Sequence, residues 1–247
     1  MSLTRTALVT GASRGIGRAI AHRLASSGFS ICINYFENRA GAEALLSTIT
    51  DSGSDAFLAM ADVSDQASVQ GMFSEIRKKW GRLDVLVNNA GIYQRSPFES
   101  LDFPSWKRTL SSNLDSAFLC TAEALPLMKE QHFGRVINIS SQLAFKGSRH
   151  GAHYAASKSG MIGLTRSLAI ELGQFGITVN MVAPGSIRTR ILGGYTEEQL
   201  SELSSQIPSR RIGEPEDVAS VVAFLASDEA SYVNGATVSV SGGSFLL

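Results

Sequence analysis

Cysteine is scarce in this chain, with two in 247 residues, and neither stands in a metal-ligand spacing. Cys32 falls in an apolar strand-like run and Cys120 in a helical one, which reads as two reduced core thiols and not as a disulfide framework. An excess of one charge sign is also missing: 22 Lys and Arg balance 22 Asp and Glu. That leaves no electrostatic footprint for nucleic acid or for an anionic membrane. No apolar run reaches the roughly 18 residues of a membrane span, and no signal-peptide pattern opens the chain. Linkers, charge blocks, low-complexity stretches and solenoid-type repeats are lacking as well. These absences predict a cytoplasmic, metal-free α/β protein, with residues 1–247 forming a single domain.

What is present centres on residues 138–158, NISSQLAFKGSRHGAHYAASK. Residues 152–172 carry Ala156, Met161, Ile162, Leu164, Leu168, Ala169 and Leu172 at roughly helical spacing. On such a helix Tyr154 and Lys158, at i and i+4, share a face. Residues 135–140 read as a buried strand whose C-terminal end releases Ser141, and open parallel sheets place their sites at such ends. A hydroxyl, a phenol and an ammonium then converge on one polarised oxygen. A free phenol titrates near ~10, too high for efficient acid–base work at neutral pH. A neighbouring ammonium is expected to lower it. Tyr-x-x-x-Lys alone occurs by chance on solvated helix faces; its place after a strand ending in serine argues against that here.

The N-terminal part supplies the partner for this chemistry. Residues 6–10 (TALVT) form a short apolar strand running into GASRGIG, residues 11–17, and a helix then carries Ile16, Ala19, Ile20, Leu24 and Ala25 inward. Strand, glycine turn and helix open a dinucleotide-binding βαβ unit, with the pyrophosphate at the helix N-terminus. Residues 30–34 are the second strand. At its end, where an NAD site commonly carries a carboxylate for the ribose hydroxyl, stands Tyr35, while Arg14 lies in the glycine turn. This pairing favours the 2′-phosphate of NADP(H) over NAD(H); the alternative is that Glu37 takes the ribose and Arg14 is merely solvated. A third strand, 56–60, ends at Asp62 and Val63, placed for an adenine edge.

Residues 83–87 are an unbroken apolar strand emptying into Asn88, Asn89, Ala90 and Gly91. The two carboxamides either make a plain turn or tie neighbouring strands together beside the cofactor, and the central look of the strand favours the second. Residues 104–131 read as one long helix. Asn113, mid-helix where its propensity is poor, is either a locally bonded amide or the holder of a water or a kink near Lys158. Residues 177–182 make a buried strand ending in Ala183, Pro184 and Gly185. The polar segment 186–212 is long for a connection and reads as a substrate lid. A helix from Pro215 and a strand at 236–240 complete seven strands with crossover helices. The fold expected is α/β, a doubly wound, seven-stranded, Rossmann-like parallel sheet.

With TGASRGIG, NNAG, Ser141, YAASK and VNMVAPGSIRT in this order, the chain resembles the short-chain dehydrogenases/reductases over essentially its whole length. It is most similar to their β-ketoacyl-acyl-carrier-protein reductase branch. The resemblance implies an NADP(H)-dependent oxidoreductase that moves a hydride between nicotinamide and a ketone or secondary alcohol. It implies Tyr154 as general acid, Lys158 as the group that tunes it and holds the nicotinamide ribose, Ser141 on the substrate oxygen, and Asn113 supporting a relay water. Gly11, Ser13, Arg14, Gly15, Ile16 and Gly17 would wrap the phosphates, Asp62 and Val63 meet the adenine, and Asn89, Ala90 and Gly91 line the cofactor. Pro184, Gly185, Ile187 and Thr189 follow the sixth strand, the last two holding the carboxamide. A small carbonyl or alcohol substrate, carrier-bound or free, and a homotetramer are implied too. Carrier-protein reductases tend to place basic residues just before the glycines matching Gly134 and Gly176, where this chain has His132-Phe133 and Gln174-Phe175. Two other readings are a general ketone, sugar or steroid-type dehydrogenase of the same family, and a non-catalytic cofactor-binding regulator; the retained tyrosine and lysine weigh against the latter.

Overall fold

A computed structural model describes residues 4–246. The elements follow the chain as β1 (Thr6–Val9), α1 (Gly15–Ser26), β2 (Ser30–Tyr35), α2 (Arg39–Asp51), β3 (Ala56–Met60), α3 (Gln66–Trp80) and β4 (Val85–Asn88). Next come α4 (Phe103–Leu110), a π-helical turn (Ser111–Asp115), α5 (Ser116–Glu130), β5 (Gly134–Ile139), α6 (Leu143–Lys146) and α7 (Ala152–Leu172). The chain ends with β6 (Ile177–Pro184), α8 (Glu197–Ser205), α9 (Pro215–Ala226) and β7 (Thr237–Val240). All seven strands pair in parallel in the order β3-β2-β1-β4-β5-β6-β7. The order reverses between β1 and β4, and a crevice opens there beyond the strands' C-terminal ends.

The inner strands are buried along their whole length because helices cover both faces of the sheet. Alternate residues of one strand feed different cores. Ala7 and Val9 join Ile20, Leu24 and Val222 from α1 and α9 on one side, while Leu8 joins Phe73, Ile76 and Met128 from α3 and α5 on the other. Two helix starts follow from the sequence chemistry. Asp65 caps α3 by accepting from Ser68 N at 2.8 Å, and Asp102 caps α4 by accepting from Ser105 N at 2.7 Å.

Two expectations need correction. Residues 104–131 are not one helix: the π turn centred on Asn113 interrupts it. The extra residue in that turn is held by Asn113 itself, whose side chain is fully buried. In α7 the buried face is not the apolar stripe of the sequence pattern. It runs through His153, Ser157, Lys158, Met161, Thr165, Ala169 and Leu172, while Ala156 is exposed. Half of that face is polar because it meets polar partners beneath the site. Asn88 Nδ2 donates to Asn138 Oδ1 (2.9 Å) and Thr121 Oγ1 (3.1 Å), and Asn138 Nδ2 donates to Thr165 Oγ1 (2.9 Å). This carboxamide chain ties β4 and β5 to α5 and α7, which is the strand-tying role weighed for Asn88.

Candidate active site

The glycine turn is held by side chains at the ends of the two strands that flank β1. Asn34, at the end of β2, accepts from Gly11 N at 3.1 Å and donates to the carbonyls of Ala59 and Ala61. Asn89 donates to the carbonyls of Thr10 (2.8 Å) and Gly11 (3.2 Å). Between these two amides there is no room for a side chain. A Cβ on Gly17 would stand 2.4 Å from Asn89 Nδ2 and 2.5 Å from Gly11 O, and Gly11 takes the left-handed φ of 62°. The turn leads into α1, whose N-cap is Arg14, a donor-only side chain that makes no cap hydrogen bond. The first N–H groups of α1 are therefore left for an outside acceptor, and a dinucleotide pyrophosphate fits that cradle.

The reacting end of the same cleft, of about 1010 Å³, is made by β5, α6, α7 and the end of β6. Ser141 Oγ accepts a hydrogen bond from Leu143 N at 3.1 Å, so its own proton is free to be donated. Lys158 is 4% exposed and its Nζ donates to the Ile139 carbonyl at 2.8 Å. Burial pulls the Lys158 ammonium down to about 8. Tyr154 behaves opposite to the sequence expectation. Burial pushes its hydroxyl up to about 12; the Ser141 hydroxyl opposes this rise and Tyr93 adds to it. The ammonium stands 5.9 Å from the Tyr154 ring centroid and is turned to Ile139, so it does not lower the phenol in the free protein. The result is a neutral phenol and a free serine proton facing one space, able to bond and protonate an oxygen that gains charge there.

Every cofactor residue expected from sequence borders this cleft: Gly11, Ser13, Arg14, Gly15, Ile16 and Gly17 of the turn, Tyr35, Asp62, Val63, Asn89, Ala90, Gly91, Pro184, Gly185, Ile187 and Thr189. Ser141, Tyr154 and Lys158 border it too, and Asn113 does not. Asn113 accepts from Ile92 N (2.7 Å) and donates to Ile92 O (3.1 Å) and Ser157 Oγ (3.0 Å), which fixes the chain leaving β4 against α7. Among the lining residues that the sequence reading did not single out are Tyr93 and Gln142. Tyr93 packs its ring 4.6 Å from that of Tyr154 at a 56° tilt, and Gln142 follows Ser141. A tyrosine two residues after a strand-end glycine, with no periodic pattern around it, carried no signal for the first. For the second, the only signal was adjacency to the serine.

A family model described as Enoyl-(Acyl carrier protein) reductase matches residues 11–244. The chain is 43% identical over 246 residues to the 3-oxoacyl-acyl-carrier-protein reductase FabG of Staphylococcus aureus, covering 100% of both chains. It is 39% identical over 243 residues to the Escherichia coli protein of the same name, covering 98% of each. Among solved structures it is similar to YwfH, an NADPH-dependent reductase involved in bacilysin biosynthesis. That likeness has a TM-score of 0.94 and 32% identity, over 99% of this chain and 100% of the other. The ordered motifs, the parallel sheet and these likenesses lead to one conclusion: the chain belongs to the short-chain dehydrogenase/reductase family, NAD(P)-dependent oxidoreductases of alcohol and carbonyl groups.

Proposed function

We propose that the protein reduces the ketone of 3-oxoacyl thioesters with NADPH, and that Ser141, Tyr154 and Lys158 carry the reaction. The observation that carries this reading is the free Ser141 proton beside a neutral Tyr154 phenol in the cleft that the glycine turn also borders. NADPH, when bound, supplies the hydride. Ser141 and Tyr154 both donate hydrogen bonds to the ketone oxygen. As that oxygen gains charge, Tyr154 passes it the phenolic proton, and the product is the alcohol. Lys158 would hold the nicotinamide ribose of a bound cofactor, and its charge would then oppose that left on the Tyr154 oxygen. Asn113 holds the π turn, and both of its amide hydrogens are engaged, so a relay water would be bound there by carbonyl oxygens.

Preference for NADPH is supported by Arg14, exposed and without an ion pair among the described residues, and by the buried Tyr35 at the place of the usual carboxylate. The names of the relatives support the 3-oxoacyl group as substrate. Residues 186–212, with α8 capped by Thr196 and Gln199, act as the lid over the substrate end. The protein works in the cytoplasm as a homotetramer, its exposed Phe103 and Phe118 on α4 and α5 covered by a second copy. No helix among the described residues is long and apolar enough to cross a membrane.

Carrier docking is weak in this reading. Of the cations around Phe133, Arg5 is paired with Asp228 and Arg135 is buried against backbone carbonyls; Lys129 lies over the Phe175 ring. Of the arginines in or near the lid that could form a substitute patch, Arg188 is paired with Glu214 and Arg211 with Asp217, which leaves Arg190 and Arg210. A short thioester should therefore be reduced about as well as the same acyl chain on an acidic carrier protein. The test is kcat/KM for both at low and moderate salt. A carrier advantage of about a hundredfold or more that salt erodes would defeat this part of the reading.

A further inference from the structure

Gln142 follows Ser141 at the exit of β5 and lines the cleft with Ser141 and Tyr154. Its place is fixed from two distant parts of the chain. The Gln142 backbone N–H donates to the Pro184 carbonyl at 2.9 Å, and its side-chain Oε1 accepts from Ser244 Oγ at 2.9 Å. The segment carrying Ser244 is pinned in turn. Lys146 Nζ donates to the Ser244 carbonyl at 3.3 Å, and the buried ring of Phe245 stacks on Phe145 at 5.6 Å. With Oε1 engaged, the part of the carboxamide left to act is Nε2, a pure donor. Nε2 makes no hydrogen bond among the described residues and is not fully buried, on a residue that lines the cleft.

A donor oriented by a packed strap and left without a partner in a substrate cleft is a recognition element. An amide donor is uncharged and suits a neutral acceptor; a carboxylate is better met by a cation. Ser141 and Gln142 are neighbours in the chain and line the same cleft as Tyr154, so a substrate oxygen near the reacting one lies on the side of the cleft that Gln142 serves. We propose that Gln142 donates a hydrogen bond to a second, neutral oxygen close to the reacting ketone. The site then selects 1,3-dicarbonyl esters and thioesters over simple ketones, with Ser244 as the residue that positions Gln142. This inference rests on the ketoreductase reading above and names the side chain that recognises the second oxygen of its substrate.

The experiment compares kcat/KM with NADPH for ethyl 3-oxobutanoate and 2-pentanone, which share the reacting methyl ketone. In Gln142→Leu the ratio of the two should fall about tenfold, the effect of one lost hydrogen bond. Ser244→Ala should lower the same ratio, chiefly through KM for the ester, and Ser244→Thr should restore it. Gln142→Glu keeps the shape but presents only acceptors, and its ratio should fall as far as that of the leucine variant; it also decides the matter if the leucine variant does not fold. An unchanged ratio in variants that still bind NADPH overturns the inference while leaving the ketoreductase reading intact. A glutamate variant matching the parent overturns it too, because the acceptor side would then face the cleft. A parent protein that reduces neither ketone overturns both the inference and the reading beneath it.

Discussion

Replacing Lys158 by methionine isolates what burial of its ammonium does to the fold. The side chain is 4% exposed, and among the described residues its ammonium bonds one oxygen, the Ile139 carbonyl, and pairs with no carboxylate. Burial brings it from the ordinary 10.5 to about 8. That fall means the protonated side chain destabilises the unliganded protein by about 3 kcal/mol at neutral pH. Between about pH 8 and 10.5 the unfolded chain still holds a proton that the folded protein has released, so stability rises with pH across this window. Below it the destabilisation is fully present. Methionine removes the charge at similar length but leaves Ile139 without that donor, which costs about 1–2 kcal/mol. Lys158→Met should thus be about 1–2 kcal/mol more stable than the parent at pH 7 and should lose that advantage by about pH 9.5. Urea melts of both proteins without cofactor, at one protein concentration, read this directly, since titrations common to both cancel. A stability difference that stays the same at the two pH values would refute the reasoning. The variant should also be inactive, so a gain in stability would accompany the loss of function.

Tyr154→Phe should lower kcat at least a hundredfold while the Kd for NADPH, by fluorescence titration, changes little, because the proton is needed only as the oxygen gains charge; retention of more than about a tenth of the rate would remove Tyr154 from its role. Tyr35→Asp should reverse the order of kcat/KM for NADPH and NADH, since a carboxylate repels the 2′-phosphate and accepts from a 2′-hydroxyl. Equal use of both cofactors by the parent would shift control of the ribose to Glu37 or another group. Gly17→Ala puts a methyl 2.5 Å from the Gly11 carbonyl, so NADPH affinity should fall at least about tenfold, and unchanged binding would show that the turn yields.

Strands were legible wherever both faces are buried, because β1, β4, β5 and β6 are then predominantly apolar. The spacing of Tyr154 and Lys158 and the serine at a strand end were legible for the same reason: they are fixed by local geometry. What escaped depends on contacts between distant residues. The π turn shows in the sequence only as a poorly placed Asn113, since the amide that stabilises it bonds Ile92, 21 residues earlier. Thr121, Asn138 and Thr165 look like surface residues of their elements until Asn88 is seen between them. The direction of the Tyr154 shift was misread because proximity in a helix does not say what the lysine bonds, and here it bonds a carbonyl of β5. Gln142 is oriented by a serine 102 residues away.

The bonded line Thr121–Asn88–Asn138–Thr165 lies below the reacting groups and none of its members borders the cleft. It joins two strands and two helices by bonds that no substrate touches. Ser141 leaves one of those strands, and Tyr154 and Lys158 ride on one of those helices. The segments above it, 94–97, 147–150 and 190–212, hang from this frame and contribute nothing to it. They can be lengthened, recoloured or exchanged and the three reacting groups keep their spacing. A library confined to those segments would redirect the choice of ketone while leaving the apparatus of proton transfer as it stands, whereas any change to the four buried amides and hydroxyls would be felt for every substrate alike.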